Sequence, residues 1–197
     1  AIEFGWLGLE DTEQNILIAT VIVFILGNIS GFAGISGQQR LADYYIQVHL
    51  FFLKGEKGSE LDSSQRQQEI YDAMTSDSHA SWERAFQKSY IGYTKKQEEA
   101  TPYFQQLLQA LREKYGSLEN IPDSVRQEFL RHTKPIAALN CMLTFNFRTL
   151  CFAVFCLADL PACYFLFEIV GMGLFARYIN HRHEAFCRGM IDSLKER

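Results

Sequence analysis

Residues 14–39, QNILIATVIVFILGNISGFAGISGQQ, contain no charged side chain and decide the class of this protein. A predominantly apolar helix of about 20 residues is long enough to cross the hydrocarbon core of a bilayer. The stretch from Asn15 to Ile35 therefore predicts a membrane-spanning helix. Gly27 and Gly31 lie four residues apart within it, a spacing that lets a neighbouring helix approach closely. We interpret this pair as an ordinary helix-packing face.

Charged and apolar residues are segregated along the chain, although the mean hydropathy of −0.09 is close to neutral. Residues 54–134 carry 12 basic and 13 acidic side chains, whereas the only charges in residues 135–176 are Arg148, Asp159 and Glu168. No long basic stripe suggests a nucleic-acid partner. The pattern predicts an integral membrane protein with a soluble insertion between apolar regions.

The C-terminal apolar region divides at Asp159-Leu160-Pro161, a sequence that suits a tight turn. Residues 136–158 and 162–179 on either side predict two further crossings. The expected fold is an all-α membrane bundle of about three transmembrane helices with a helical cytoplasmic insertion. Its three parts are a first transmembrane helix with an interfacial extension, the insertion, and a transmembrane hairpin with a basic tail (residues 1–53, 54–134 and 135–197).

The insertion has the signals of several helices. Ser64 with Gln67 suggests a capping box, and Pro102 predicts the start of a helix that Gly116 ends. Pro122 opens a last short helix. Aromatic residues also recur at helical spacing and predict one face that is buried in a core or lies on the membrane surface; they are Trp82, Phe86, Tyr90 and Tyr93.

The orientation follows from the excess of basic residues that cytoplasmic loops carry. Acidic residues precede the first crossing, and Arg40, Lys54 and Lys57 follow it. The first helix therefore runs from outside to inside, and the insertion and the basic tail are predicted to be cytoplasmic.

Two charged residues lie near the middle of the predicted second and third crossings. Arg148 and Glu168 are at similar depths, and charges at such positions usually face a bundle interior. One interpretation is a buried ion pair that fixes two helices. The other is an anion site in which Glu168 orients Arg148 toward a phosphate. The sequence leaves both open.

Three more residues are candidates for a polar cavity that faces the cytoplasm. Arg40 and Asp43 follow the first crossing, and Arg177 lies at the inner end of the third. His183 and Cys187 are four residues apart, which permits metal binding, but no third ligand is evident and we expect a solvated basic tail. No CxxC pair or zinc-finger spacing indicates a disulfide or zinc site.

Four stretches of the chain resemble bacterial membrane CDP-alcohol phosphatidyltransferases. They are LADYYIQVHLFFLKG at 41–55, QEEATPYFQ at 97–105, LTFNFR at 143–148 and YFLFE at 164–168. The motif that defines this family, Asp-x-x-Asp-Gly-x-x-Ala-Arg followed by Gly-x-x-x-Asp-x-x-x-Asp, is absent. The chain thus resembles the C-terminal half of the family's six-helix fold, helices four to six, and no catalytic residue can be assigned by resemblance.

The resemblance implies transfer of a phosphatidyl-type group from a CDP-linked lipid to an alcohol, with release of CMP, in phospholipid synthesis. It also implies a multi-pass protein of the bacterial inner membrane, inactive alone, and Mg²⁺ or Mn²⁺ whose ligands lie outside this chain. The predicted substrate-binding residues are Arg40, Asp43, Arg148, Glu168 and Arg177.

Other functions remain open at this point. The first alternative is a non-catalytic membrane protein whose cytoplasmic helices dock a partner. A small transporter or channel subunit is a weaker alternative, and a homodimer is left open. An upstream reading frame that carries the family motif would decide for the enzyme.

Overall fold

The computed structural model describes residues 12–74 and 80–196, and these residues contain helices and no β-strand. The predicted all-α class is confirmed. We number the helices α1 to α7 in chain order.

Helix α1, Glu13–Lys54, is one continuous helix of 42 residues. Thr12 caps its start, where the hydroxyl accepts a hydrogen bond from the Asn15 backbone N–H at 3.3 Å. The first half exposes large apolar side chains such as Phe24, as a lipid-facing helix does. The second half continues beyond the predicted crossing and buries one face. A π-helical segment, Ser30–Ile35, joins the two halves.

Three helices follow in the insertion: α2 is Ser64–Ala73, α3 is Ser81–Ala100 and α4 is Pro102–Tyr115. The cap of α2 is Ser63 and not Ser64, because the Ser63 hydroxyl accepts from the Arg66 backbone N–H at 3.2 Å. Helix α4 has the predicted proline start. It ends at Gly116, whose φ of 78° is the left-handed conformation that glycine adopts without strain.

Helix α5, Asp123–Asn140, is longer than the short helix expected after Pro122. It runs through residues 134 and 135, so the insertion and the apolar region share one helix. After a 3₁₀ turn at Cys141–Leu143, helix α6 occupies Phe145–Leu157. A turn at Asp159, with φ of 59°, leads into helix α7, Pro161–Glu196.

By length and composition, α1 and α7 can each cross a membrane. A third crossing exists if Asp123–Leu143 and Phe145–Leu157, which are bent by 47° relative to each other, form one span. The protein is therefore a membrane protein with two long apolar helices. The third crossing and the cytoplasmic placement of the insertion stay predictions.

The main core lies where the second half of α1 meets α4, α5 and the C-terminal half of α7. Phe52 and Phe129 stack with ring centroids 3.7 Å apart, and Phe104 packs 6.1 Å from Phe129. All three side chains are almost completely buried. Aromatic burial of this kind makes a large apolar contribution to stability, so this core holds α4 and α5 against the second half of α1 and the C-terminal half of α7.

Two predictions about this region are wrong. The aromatic stripe on α3 is not buried in the core, because Trp82 and Phe86 are 68% and 70% exposed, and a contact of this face with the membrane surface stays a prediction. The helical spacing is right, but α3 packs mainly on α2 and leaves these two rings outward. The C-terminal tail is not a solvated helix either, since His183 and Cys187 are 1% and 0% exposed within the core.

Candidate functional site

Arg148 is positioned by the break between α5 and α6. The 3₁₀ turn at Cys141–Leu143 ends in Thr144, which has an extended backbone, and its hydroxyl donates to the Cys141 carbonyl at 2.6 Å. A separate helix, α6, therefore begins at Phe145, one turn before Arg148. The guanidinium Nε reaches back and donates to the Leu143 carbonyl at 3.0 Å, which ties the arginine to the break.

Glu168 lies on a second π-helical segment, Phe167–Met172, within α7. Its carboxylate forms an ion pair with Arg148 Nη1, and the two side chains are 0% and 2% exposed. The prediction that Arg148 and Glu168 face each other inside the bundle is confirmed. A buried pair of this kind offsets the desolvation of each charge by the attraction of the other.

Gln38 completes the network of Arg148 and Glu168, although no sequence pattern indicated this residue. Arg148 Nη2 donates to Gln38 Oε1 at 2.5 Å, and Gln38 Nε2 donates to the Glu168 carbonyl at 3.3 Å. The amide thus connects α1 to both α6 and α7. Its signal in the sequence is weak, because it is one polar residue among several at the end of the uncharged stretch.

The two π-helical segments pack against each other beside this network. Gly34 belongs to the first, and a Cβ added there would lie 3.8 Å from both Gln38 Nε2 and Glu168 Cγ. A Cβ added at Gly173 would also lie 3.8 Å from Gln38 Nε2. A Cβ would therefore make ordinary van der Waals contact at both glycines, and a larger side chain would press on Gln38 or Glu168. Single-turn π segments within α-helices are frequent at functional sites.

A cleft of about 460 Å³ opens between α1 and α7 next to the network. Apolar side chains and three glycines line it, with Gln38, Asn180 and the exposed Arg177 as its polar groups; the glycines are Gly34, Gly37 and Gly173. Arg148 and Glu168 are not among the lining residues. Gln38 is therefore the residue that belongs to both the buried network and this cleft.

A separate cleft, also about 460 Å³, lies between α1 and the insertion and is lined by Asp43, Tyr90 and Tyr93. Arg40 lies over the Tyr93 ring, with its guanidinium carbon 5.9 Å from the centroid. Burial raises the pKa of the Tyr93 hydroxyl; the Asp43 charge raises it further, and the Arg40 charge opposes this. Glu60 and Asp62 add two more carboxylates to the lining. The chemistry of this cleft suits a cation better than a phosphate.

Arg40 and Asp43 do not share a cavity with Arg177, which corrects the expectation that these three residues ring one polar cavity. Arg148 and Glu168 form the buried network, and Arg177 lines the cleft between α1 and α7. Asp43, with Arg40 close by, belongs to the cleft at the insertion.

Comparison of the chain with protein-family models, with curated proteins and with solved structures finds no match in any of the three.

Proposed function

We propose that this chain is the C-terminal membrane half of an enzyme that transfers a phosphatidyl-type group from a CDP-linked lipid to an alcohol and releases CMP. The four stretches that resemble CDP-alcohol phosphatidyltransferases motivate the reaction. The observation that carries the proposal is the cleft between α1 and α7, in which the exposed Arg177 lies beside a wall that includes three glycines.

The cleft has the chemistry that a lipid phosphate needs. Glycines allow a ligand to approach the helix backbone, and an exposed guanidinium offers two parallel N–H donors to a phosphate. Cleft-lining Ile169, Val170 and Leu174 are apolar and suit an acyl chain. Arg177 is thus our candidate for the contact to the donor's phosphate.

Arg148 fits the structural interpretation better than the anion-site interpretation. The three guanidinium nitrogens of Arg148 already contact Glu168, Gln38 and the Leu143 carbonyl. A ligand phosphate would therefore have to displace a contact within the protein. Removing a guanidinium from such a buried pair is costly. We propose that Arg148 and Glu168 set the spacing of the helices that form the cleft.

Among the described residues, the cluster in which three potential metal ligands converge does not fit a magnesium or manganese site. It combines imidazole, carboxylate and thiol, whereas these ions prefer oxygen ligands. The carboxylates of Asp43, Glu60 and Asp62 line one cleft but do not converge in this way. We therefore assign no metal-dependent step to this chain. In the proposed enzyme, the carboxylates for the metal would come from outside its 197 residues.

Lipid binding by the purified chain in detergent tests the proposal. CDP-diacylglycerol should raise the thermal unfolding midpoint in a saturable way, and Arg177→Ala should weaken this binding by about 10- to 100-fold, the loss expected for a charged hydrogen bond of about 1.5–3 kcal/mol. Arg182→Ala is the control, because Arg182 is exposed on the same helix but does not line the cleft. Absence of saturable binding, or equal binding by Arg177→Ala, would contradict the proposal.

One observation favours a second candidate, a membrane protein whose cytoplasmic helices dock a partner. Trp82 and Phe86 are large, exposed and one helical turn apart on α3. Exposed aromatic residues are enriched at protein interfaces. A photo-crosslinker at Trp82 in native membranes distinguishes the candidates: one discrete protein adduct, lost in Phe86→Ala, supports docking, and lipid adducts alone contradict it.

A further inference from the structure

Three potential metal ligands lie together on one turn of α7. The Nδ1 atom of His183 is 3.6 Å from Glu184 Oε1 and 3.7 Å from Cys187 Sγ. The ligand atoms of all three residues lie within 4.8 Å of one another. The spacing of His183 and Cys187 is visible in the sequence, whereas the approach of the Glu184 carboxylate depends on the side-chain arrangement in the fold.

These separations match the edges of a tetrahedral zinc site. With Zn–N and Zn–O bonds of about 2.1 Å and a Zn–S bond of about 2.3 Å, tetrahedral angles place nitrogen and sulfur about 3.6 Å apart, and nitrogen and oxygen about 3.4 Å apart. Both distances from His183 Nδ1 are close to these values. Imidazole and thiolate ligands also favour zinc over magnesium or calcium.

The surroundings leave polar atoms of this cluster without partners. Glu184 Oε1 and His183 Nε2 are buried and have no hydrogen-bond partner among the described residues. All three residues are buried: His183 is 1% exposed, Glu184 is 8% exposed and Cys187 is 0% exposed. A buried carboxylate oxygen without a donor is costly, and a cation between the three ligands would remove this cost.

Neighbouring groups hold two of the ligands in place. The backbone N–H of Tyr103, in the first turn of α4, donates to Glu184 Oε2 at 2.7 Å and leaves Oε1 directed at His183. The His183 ring is enclosed by Tyr45, Phe104 and Phe129, with centroids at 4.5, 5.5 and 6.1 Å. The Tyr103 hydrogen bond orients the carboxylate, and the surrounding rings exclude water from His183.

We propose that His183, Glu184 and Cys187 bind one zinc ion, which stabilises the junction of α1, α4, α5 and α7. The inference is independent of the proposed lipid transfer, because it uses none of the residues that line the cleft between α1 and α7. Three protein ligands leave the fourth position for a water or a small anion. Zinc binding would release the thiol proton of Cys187, since the thiolate is the ligand form.

Metal analysis of the full chain tests this site, with an affinity tag that contains no histidine. The protein is purified in detergent, loaded with zinc and freed of excess metal. We expect about one zinc per chain in the wild type and at least a tenfold lower content in His183→Gln and Cys187→Ser. His181→Gln and Cys141→Ser are matched controls that keep the metal, because both residues are exposed and outside the cluster.

Cobalt substitution in the wild-type protein keeps the test valid if a ligand variant fails to fold. Bound Co²⁺ should show a thiolate-to-cobalt charge-transfer band together with the visible absorption of a tetrahedral site. Wild-type protein that retains no zinc, cobalt that binds without the thiolate band, or equal metal loss in the matched controls would each overturn the proposal. The cluster would then be a hydrogen-bonded part of the core, with Glu184 as a cap for α4.

Discussion

Removal of Arg148 should destabilise the protein more than removal of its partner Glu168. In Arg148→Met, Glu168 stays buried without its cation, and the Leu143 carbonyl and the Gln38 amide oxygen lose their donor. In Glu168→Gln, the amide oxygen still faces the guanidinium, and the contacts from Arg148 to Leu143 and Gln38 remain. The network is therefore asymmetric, with the arginine at its centre.

The magnitudes follow from these contacts. Breaking a buried ion pair by removing one partner costs about 3–5 kcal/mol, and we assign this range to Arg148→Met. Glu168→Gln leaves the buried guanidinium without its counter-ion and falls at the lower end of the same range, about 3 kcal/mol, because Arg148 keeps its contacts to Leu143 and Gln38. The double variant carries no buried charge at this position. It should therefore be more stable than Arg148→Met alone, although Gln38 and Leu143 stay without their donor.

The assay is unfolding of the purified protein in mixed micelles, driven by increasing SDS and followed by circular dichroism. Arg177→Met is the matched control, because this arginine is exposed on α7 and its loss should change the free energy of unfolding by less than about 0.5 kcal/mol. The reasoning is refuted if the two single effects simply add in the double variant, or if Arg148→Met costs no more than the control.

Three further predictions concern other parts of the structure. A cysteine at Glu119 should resist a membrane-impermeant reagent in intact cells, whereas one at Asp159 should react, because the insertion is predicted to be cytoplasmic and the turn external. In the SDS unfolding assay, Phe129→Ala should cost about 3–5 kcal/mol and Trp82→Ala less than about 0.5 kcal/mol, since one ring is buried and the other exposed. Gly34→Ala should be tolerated and Gly34→Leu should lower the unfolding midpoint, because a Cβ fits there at 3.8 Å but a larger side chain would separate the π-helical segments.

Much of the fold is predictable because its signals are local. The charge-free stretch determines the apolar half of α1, and the proline and glycine at the ends of α4 determine its limits. The length of α5 is not predictable in this way, because Pro135 suggests a boundary that the helix passes through. The exposure of Trp82 is not predictable from its neighbours in the sequence either. Periodicity shows which residues share a helix face, but not whether another helix packs on that face.

For the candidate site, too, the sequence predicts some residues and not others. That Arg148 and Glu168 pair could be inferred, because both charges lie in apolar stretches and lipid cannot solvate them. Gln38 could not be inferred, since an uncharged amide near the end of the charge-free stretch carries no comparable penalty. The approach of Glu184 to His183 and Cys187 also requires the fold, because the Tyr103 backbone that holds its carboxylate comes from another helix.

Gln38 connects the two functions that we assign to the membrane helices, namely stability and lipid binding. Its amide oxygen accepts from Arg148, and its amide nitrogen donates to the Glu168 carbonyl, so its rotamer is fixed by the buried pair. The same side chain lines the cleft that contains Arg177. A loss of lipid binding in an Arg148 variant would therefore not identify Arg148 as a phosphate ligand, because release of Gln38 alone changes the cleft. Arg177 is the better residue for probing phosphate recognition, since it reaches the cleft without belonging to the network that holds the helices together.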